Sequence, residues 1–160
     1  MQFPHVPILA LSFLFAASLA TSAAPTVSPR DLPSGHWAAG SVKRVLHENI
    51  MGTTPDSRFQ GDQPVTRYEL AVALDRFVRY IEAAHKPLHA QTFPAPKTIS
   101  PAATPTQRQA LTHLVSNGFL PAQSPLLKDG RAEVTAKELS AALASVTIAL
   151  SDRAEAPDKN

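Results

Sequence analysis

The sequence predicts an all-α protein made of two helix-loop-helix units joined by a proline-rich linker. Three observations predict it. Apolar residues recur at helical spacing in four stretches. Two of these stretches open on the same Val-Thr-x-x-Glu-Leu pattern, at Val65–Leu70 and at Val134–Leu139. Between the halves, Pro87, Pro94, Pro96, Pro101 and Pro105 punctuate a segment that is mostly Ala, Thr and Lys, a composition that stays extended and semi-rigid without a core of its own.

Taken in order, residues 1–24 read as a secretory signal peptide. The apolar run centred on Ile8–Ala17 gives way to the small residues Ala20–Ala24, although no Lys or Arg precedes it. The run is short against the roughly 20 residues of a membrane span, which favours cleavage, after Ser22 or Ala23, over anchoring. Residues 25–33 form an extended lead-in to a module spanning 25–85. A first helix is expected from about Trp37 to Glu48, with Ala38, Val42, Val45, Leu46 and Ile50 on one face and Asn49 as a left-handed C-cap. Prolines, glycines and Asp56-Ser57 make residues 52–64 a loop, whose Phe59 is expected to plug the core. A second helix starts at a Thr66 cap and ends near Ala84, with Leu70, Leu74, Phe77, Val78 and Ile81 as its apolar stripe. After the linker (86–105), residues 106–151 repeat the first unit at an ungapped offset of 69, from Val65 to Val134. Asn49 then falls on Gly118, Ile50 on Phe119, Gly61 on Gly130 and Leu74 on Leu143. Residues 152–160 are expected to be a polar tail.

Composition narrows the function. The 160 residues suffice for one modest domain or two small ones. There is no cysteine, hence no disulfide framework and no lipid-attachment site. A formal charge of +2, scattered rather than blocked, lacks the basic stripe and stacking aromatics of a nucleic-acid binder. No segment after the signal is long and apolar enough to span a bilayer, and no run of alternating strands suggests a barrel. The expected mature protein is soluble and lies outside the cytoplasm. No metal-ligand frame, nucleophile elbow or phosphate loop appears, and Pro87 breaks helical presentation of His85 and His89. Neither catalysis, a metal nor a cofactor is expected.

Thr66 and Glu69 are spaced as a capping box, the hydroxyl for the N3 amide and the carboxylate for the N-cap amide. That leaves Arg67 unexplained, a cation in a first helical turn where the macrodipole disfavours it. Its placement suggests a task outside the helix. The second unit keeps Thr135 and Glu138 but has Ala136 in the arginine's place and Thr106 in that of Trp37.

The first unit resembles the S-layer homology module. The likeness covers Asp31 to about Glu82 and rests on Asp31-Leu32-Pro33, His36-Trp37-Ala38, the loop Pro55–Phe59, Gly61 and Val65-Thr66-Arg67-Tyr68-Glu69. Its Phe-x-Gly and Thr-Arg-Tyr-Glu wording looks like the variety of diderm bacteria. Asn49, Thr53 and Ser57 stand where the family usually has glycine, and Asn and Ser tolerate such turns better than bulky residues. The second unit resembles a degenerate repeat.

The resemblance implies an exported, wall-associated protein of the periplasm or cell surface that binds peptidoglycan or its attached anionic polymer noncovalently. In the family the arginine at the place of Arg67 contacts acidic wall polymer, often through a ketal-linked pyruvate. A guanidinium suits a carboxylate or phosphate; a solvated arginine paired with a nearby acid is the other reading. Trp37 is either a platform for a sugar or a lid over the helices. Asp31 is a cap or a groove residue, Arg58 a widened basic surface or solvated charge, and Tyr68 a hydroxyl for a sugar or an amphipathic surface position. The family usually sets three modules around a pseudo-threefold axis, and two are seen here. A complete site would then require self-association or another protein of the same kind. Loss of the arginine and tryptophan from the second unit motivates an alternative, protein–protein assembly without glycan binding.

Overall fold

A computed structural model describes residues 28–84, 92–96 and 99–155. The expected signal peptide, His85 and His89, and part of the linker lie outside the described residues. Those described form four α-helices and one 3-10 turn: α1 (Ala39–His47), α2 (Arg67–Ala84), α3 (Pro105–Ser116), the turn Pro125–Leu127, and α4 (Ala136–Glu155). The only β-type pairing among them is one antiparallel bridge between Thr66 and Glu133. None of the helices is long and apolar enough to cross a membrane.

The core is built around α2. Its Leu70, Ala71, Leu74 and Val78 pack with Leu111, Leu114 and Val115 of α3, with Phe119, Leu120, Leu126 and Leu127 after it, and with Ala142 and Val146 of α4. A polar pair crosses the joint between α2 and α3: His113 Nδ1 lies 2.6 Å from Asp75, which also accepts from Arg79 Nε at 3.0 Å. Both α3 and the 3-10 turn begin as their sequences dictate. Thr104 and Gln107 form a reciprocal capping box with Pro105 at the first helical position, and the Ser124 hydroxyl caps the turn.

Local structure repeats at the 69-residue offset. Ile50 and Met51 both donate to the carbonyl of Val45, as Phe119 and Leu120 do to that of Leu114. Asn49 (φ 55°) and Gly118 (φ 71°) share the left-handed conformation, and so do Gln60 and Asp129. The capping boxes match as well. Thr66 N donates to Glu69 at 2.8 Å and Thr135 N to Glu138 at 3.1 Å, with the hydroxyls accepting in return.

Several expectations are corrected. The helix α1 buries only Ala39 and Val42, outside the main core, and leaves Val45, Leu46 and Ile50 half-buried. Phe59 is half-buried too and does not plug that core; its ring lies against Gly61. In α4, Leu139 and Leu143 are exposed although Leu70 and Leu74 at the same repeat positions are buried. The described linker residues before Pro105, which opens α3, are non-helical, yet Ile99 and Ala103 pack on the core and Phe93 N donates to Ser116 O. The polar tail begins later than residue 152, because α4 continues to Glu155. Arg153 explains the extension. Seven residues after Val146, it faces inward, lays its guanidinium 3.8 Å from the Phe119 ring centroid and donates to the Asn117 carbonyl.

Candidate functional site

The lead-in and the loop after α1 are tied by one carboxylate. Asp31 accepts from the backbone N–H groups of Phe59 (2.8 Å) and Gln60 (2.7 Å), and Arg30 N donates to Ser57 O at 2.9 Å. Those two amides hold the Asp31 carboxyl below its ordinary pKa. Asp31 is therefore a brace for the loop, with both oxygens in use. Within the loop, the Thr54 hydroxyl donates to Asp56 at 2.6 Å and accepts from Arg58 N at 3.1 Å. Ser57 adopts φ 61°, the left-handed turn for which glycine is usual. Thr53 takes no such conformation, so the lack of glycine carries no strain there.

Two candidate residues reach solvent from this segment. Trp37, just before α1, is 91% exposed, and the nearest ring is that of His36, with centroids 5.6 Å apart. An indole left so open spends none of its apolar area on the fold. Arg58 pairs with Asp56 at 2.9 Å, both side chains being more than half exposed. Such a pair is worth little in water and exchanges readily for another anion.

The other two candidates turn inward. Arg67 is held by Glu138 in a bidentate pair, Nη2 to Oε1 at 2.6 Å and Nε to Oε2 at 3.3 Å, and its Nη1 donates to the Lys128 carbonyl at 3.1 Å. Its side chain is 19% exposed and that of Glu138 14%. The pairing holds the Glu138 carboxyl below its ordinary value and raises Arg67. Glu138 thus caps α4 and clamps α2 at once. Around it the two segments that precede α2 and α4 meet: Arg67 N donates to Ala132 O, Tyr68 N to Gly130 O, and Val134 N to Val65 O. Tyr68 corrects the sequence reading. It is 3% exposed, its ring lies so close to Gly130 that any Cβ there would collide with it, and its hydroxyl is buried without a partner among the described residues. No hydroxyl is offered to a sugar.

The structure therefore brings Asp31 of the lead-in onto the loop that carries Arg58, leaves Trp37 open just before α1, and ties Arg67 to the second unit. Sequence reasoning missed Glu138 as the partner of Arg67. The second capping box marks Glu138 as the cap of its own helix, and nothing local in the sequence joins it to a residue 71 positions away. It also missed Gly130 and Arg153.

The sequence model of the S-layer homology domain matches residues 30–71, a span that contains Asp31, Trp37, Arg58, Arg67 and Tyr68. Among curated proteins, the chain is 36% identical over 83 residues to outer membrane protein SlpA of Deinococcus radiodurans, covering 49% of this chain and 7% of that protein. It is 40% identical over 52 residues to outer membrane protein alpha of Thermotoga maritima, covering 32% of this chain and 13% of that protein. It is 36% identical over 53 residues to the cellulosome-anchoring protein of Acetivibrio thermocellus, covering 33% of this chain and 12% of that protein. The chain thus spans a small fraction of these relatives' lengths. No solved structure matches it. Through residues 30–71, this chain carries an S-layer homology domain.

Proposed function

We propose that the S-layer homology segment attaches this chain noncovalently to a polymer of the cell wall, peptidoglycan or an anionic polymer linked to it. The family match supports wall binding, and two of the relatives are named for the outer membrane and one for anchoring. The observation that carries the reading is Trp37, a large apolar ring almost wholly in water within the matched segment. A sugar face stacked on it would remove that area from solvent. Arg58 adds a cation that can leave Asp56 for a polymer carboxylate or phosphate. Asp31 acts by fixing the loop that presents Arg58. Arg67 serves at one remove, by joining the matched segment to the second unit through Glu138. The apolar run and small residues of 1–24 fit a protein exported to the compartment where such a polymer lies.

Co-sedimentation with purified peptidoglycan sacculi tests this. Wild type is expected to pellet, Trp37→Ala to pellet at least about tenfold more weakly, a loss of roughly 1.4 kcal/mol, and Arg58→Ala to lose less. If wild type stays in the supernatant, the wall-binding reading fails. If Trp37→Ala pellets like wild type, the role given to Trp37 fails. Assembly is the second reading, and the closed Arg67–Glu138 pair favours it, because the arginine otherwise best suited to an anion already has one.

A further inference from the structure

The internal repeat leaves two half-joints. Within the chain, the second helix of the first unit packs on the first helix of the second: α2 gives Leu70, Ala71, Leu74, Asp75 and Val78, and α3 answers with Ala110, Leu111, Leu114 and Val115, all buried. At the 69-residue offset, the α2 face corresponds in α4 to Leu139, Ser140, Leu143, Ala144 and Thr147. All five are exposed, Leu139 to 40% and Leu143 to 45%. The α3 face corresponds in α1 to Ser41, Val42, Val45 and Leu46, and Phe119 and Leu120 correspond to Ile50 and Met51. Of these only Val42 is buried; Val45, Leu46, Ile50 and Met51 are half-open to water.

We propose that the chain self-associates head to tail, the exposed α4 face of one copy taking the α1 face of a second and repeating between copies the joint that α2 and α3 make within one. The occupant follows from the fold itself. The α4 face has the backbone register of α2, and α1 has that of α3 down to the paired bonds on the Val45 and Leu114 carbonyls. A single exposed leucine is ordinary, but Leu139 and Leu143 lie one turn apart on the same face of α4 and leave two large apolar side chains together in water. The two faces are different surfaces, so the contact is heterologous and each copy keeps one free half-joint unless the rotation closes a ring.

Electrostatics set the strength. The α2–α3 joint has the Asp75–His113 pair, whereas the intermolecular joint would set Ala144 against Arg44. It also lacks the clamp of Arg67 on Glu138, because Ala136 stands in the arginine's place. The joint between copies rests on apolar contact and is weaker than the one within. Its formation requires no wall polymer, so it stands apart from the wall binding proposed above and gives the assembly reading a specific partner, a second copy of this chain.

Sedimentation equilibrium of the full chain, without polymer and up to submillimolar concentration, tests the proposal. Wild type is expected to associate reversibly. Leu143→Lys, a surface change, is expected to remain monomeric with unchanged circular dichroism. Val45→Lys on α1 is expected to remain monomeric as well, with Leu46→Lys repeating that arm should Val45→Lys disturb its helix. An equimolar mixture of Leu143→Lys and Val45→Lys still has one intact face of each kind and is expected to give 1:1 pairs that grow no further. A monomeric wild type overturns the proposal. So does a mixture that stays monomeric, and so does association of both α1 variants at wild-type strength, which would mean that α4 pairs with α4.

Discussion

Helices α2 and α4 start from the same capping box and carry leucines at the same repeat positions, yet one buries them and the other leaves them in water. Leu70 and Leu74 are 8% and 4% exposed, and Leu139 and Leu143 are 40% and 45%. The difference lies in the neighbour. An α3 follows α2 in the chain and covers its face, and no described helix covers the equivalent face of α4. Local hydrogen bonding is set by the residues of each unit and repeats closely. Burial is set by what comes next to the unit, and it does not repeat.

Leucine truncation breaks the comparison most sharply. Leu74→Ala is expected to cost about 2–5 kcal/mol, since it opens a cavity in the core between α2 and α3. Leu143→Ala at the equivalent place is expected to change stability by no more than about 0.5 kcal/mol in dilute protein. Urea unfolding of the two variants at low concentration measures both. Equal losses would mean that the α4 face is covered in solution.

The glycines at the offset pair come next. Gly130→Ala drives a methyl into the Tyr68 ring, which has core on its other side, and is expected to cost about 1–3 kcal/mol. Gly61→Ala places its methyl 3.4 Å from the ring of the half-buried Phe59, which can give way, and is expected to stay within about 0.5 kcal/mol. Thermal melts of the two variants settle the order.

Arg67 against Ala136 tests the electrostatic difference. Arg67→Ala leaves Glu138 without its cation and is expected to lower the melting temperature by several degrees at neutral pH. Glu138 has a folded pKa below its ordinary 4.5, and Asp31 one below its ordinary 3.8. Lowered carboxylates stabilise the fold above their unfolded values, and the contribution is lost as pH falls through the folded ones. Wild type should therefore lose melting temperature below about pH 4.5, and Arg67→Ala should lose less over the same range, because the larger cause of the Glu138 shift is gone. Parallel slopes would show that the clamp contributes little.

Much of the fold was legible in the residues. The four helices, the two capping boxes and the 69-residue offset follow from periodicity and from Thr-x-x-Glu spacing, which are local signals. What the residues do not state is which helix lies against which. The apolar stripe of α1 reads as core by spacing alone, and it is half-open because its face meets little of the described chain. Likewise Tyr68, beside a charged residue in a capped turn, reads as a surface position. Only the arrival of Gly130 from the second unit, 62 residues later, buries it. Arg67 was legible as a residue with work outside its helix, but the acid that engages it lies 71 residues away, beyond the reach of any local rule. Trp37 and Arg58 needed no partner to be read, and their side chains remain open to solvent.

The smallest expected effect concerns the caps, where the two units differ least. Thr66→Ala and Thr135→Ala each remove a hydroxyl that accepts from the N3 amide, at 3.3 Å from Glu69 N and 3.2 Å from Glu138 N. Each is expected to cost about 1 kcal/mol. A small asymmetry should nevertheless appear. The Thr66 hydroxyl also donates to Glu69 Oε2 at 2.7 Å, so its loss frees a carboxylate that already has the Thr66 amide and is exposed to water. Glu138, by contrast, stays held by Arg67 whether or not Thr135 keeps its hydroxyl, and its bond to the Thr135 amide survives the substitution. The α4 cap is thus braced from outside its own helix, and Thr135→Ala should be the milder change. In the Arg67→Ala background that brace is gone, and Thr135→Ala should then cost as much as Thr66→Ala does in wild type. A double-mutant cycle on Arg67 and Thr135, followed by urea unfolding, measures the coupling. Strict additivity would mean that the clamp and the cap act on Glu138 independently, and that Arg67 positions nothing in the second unit.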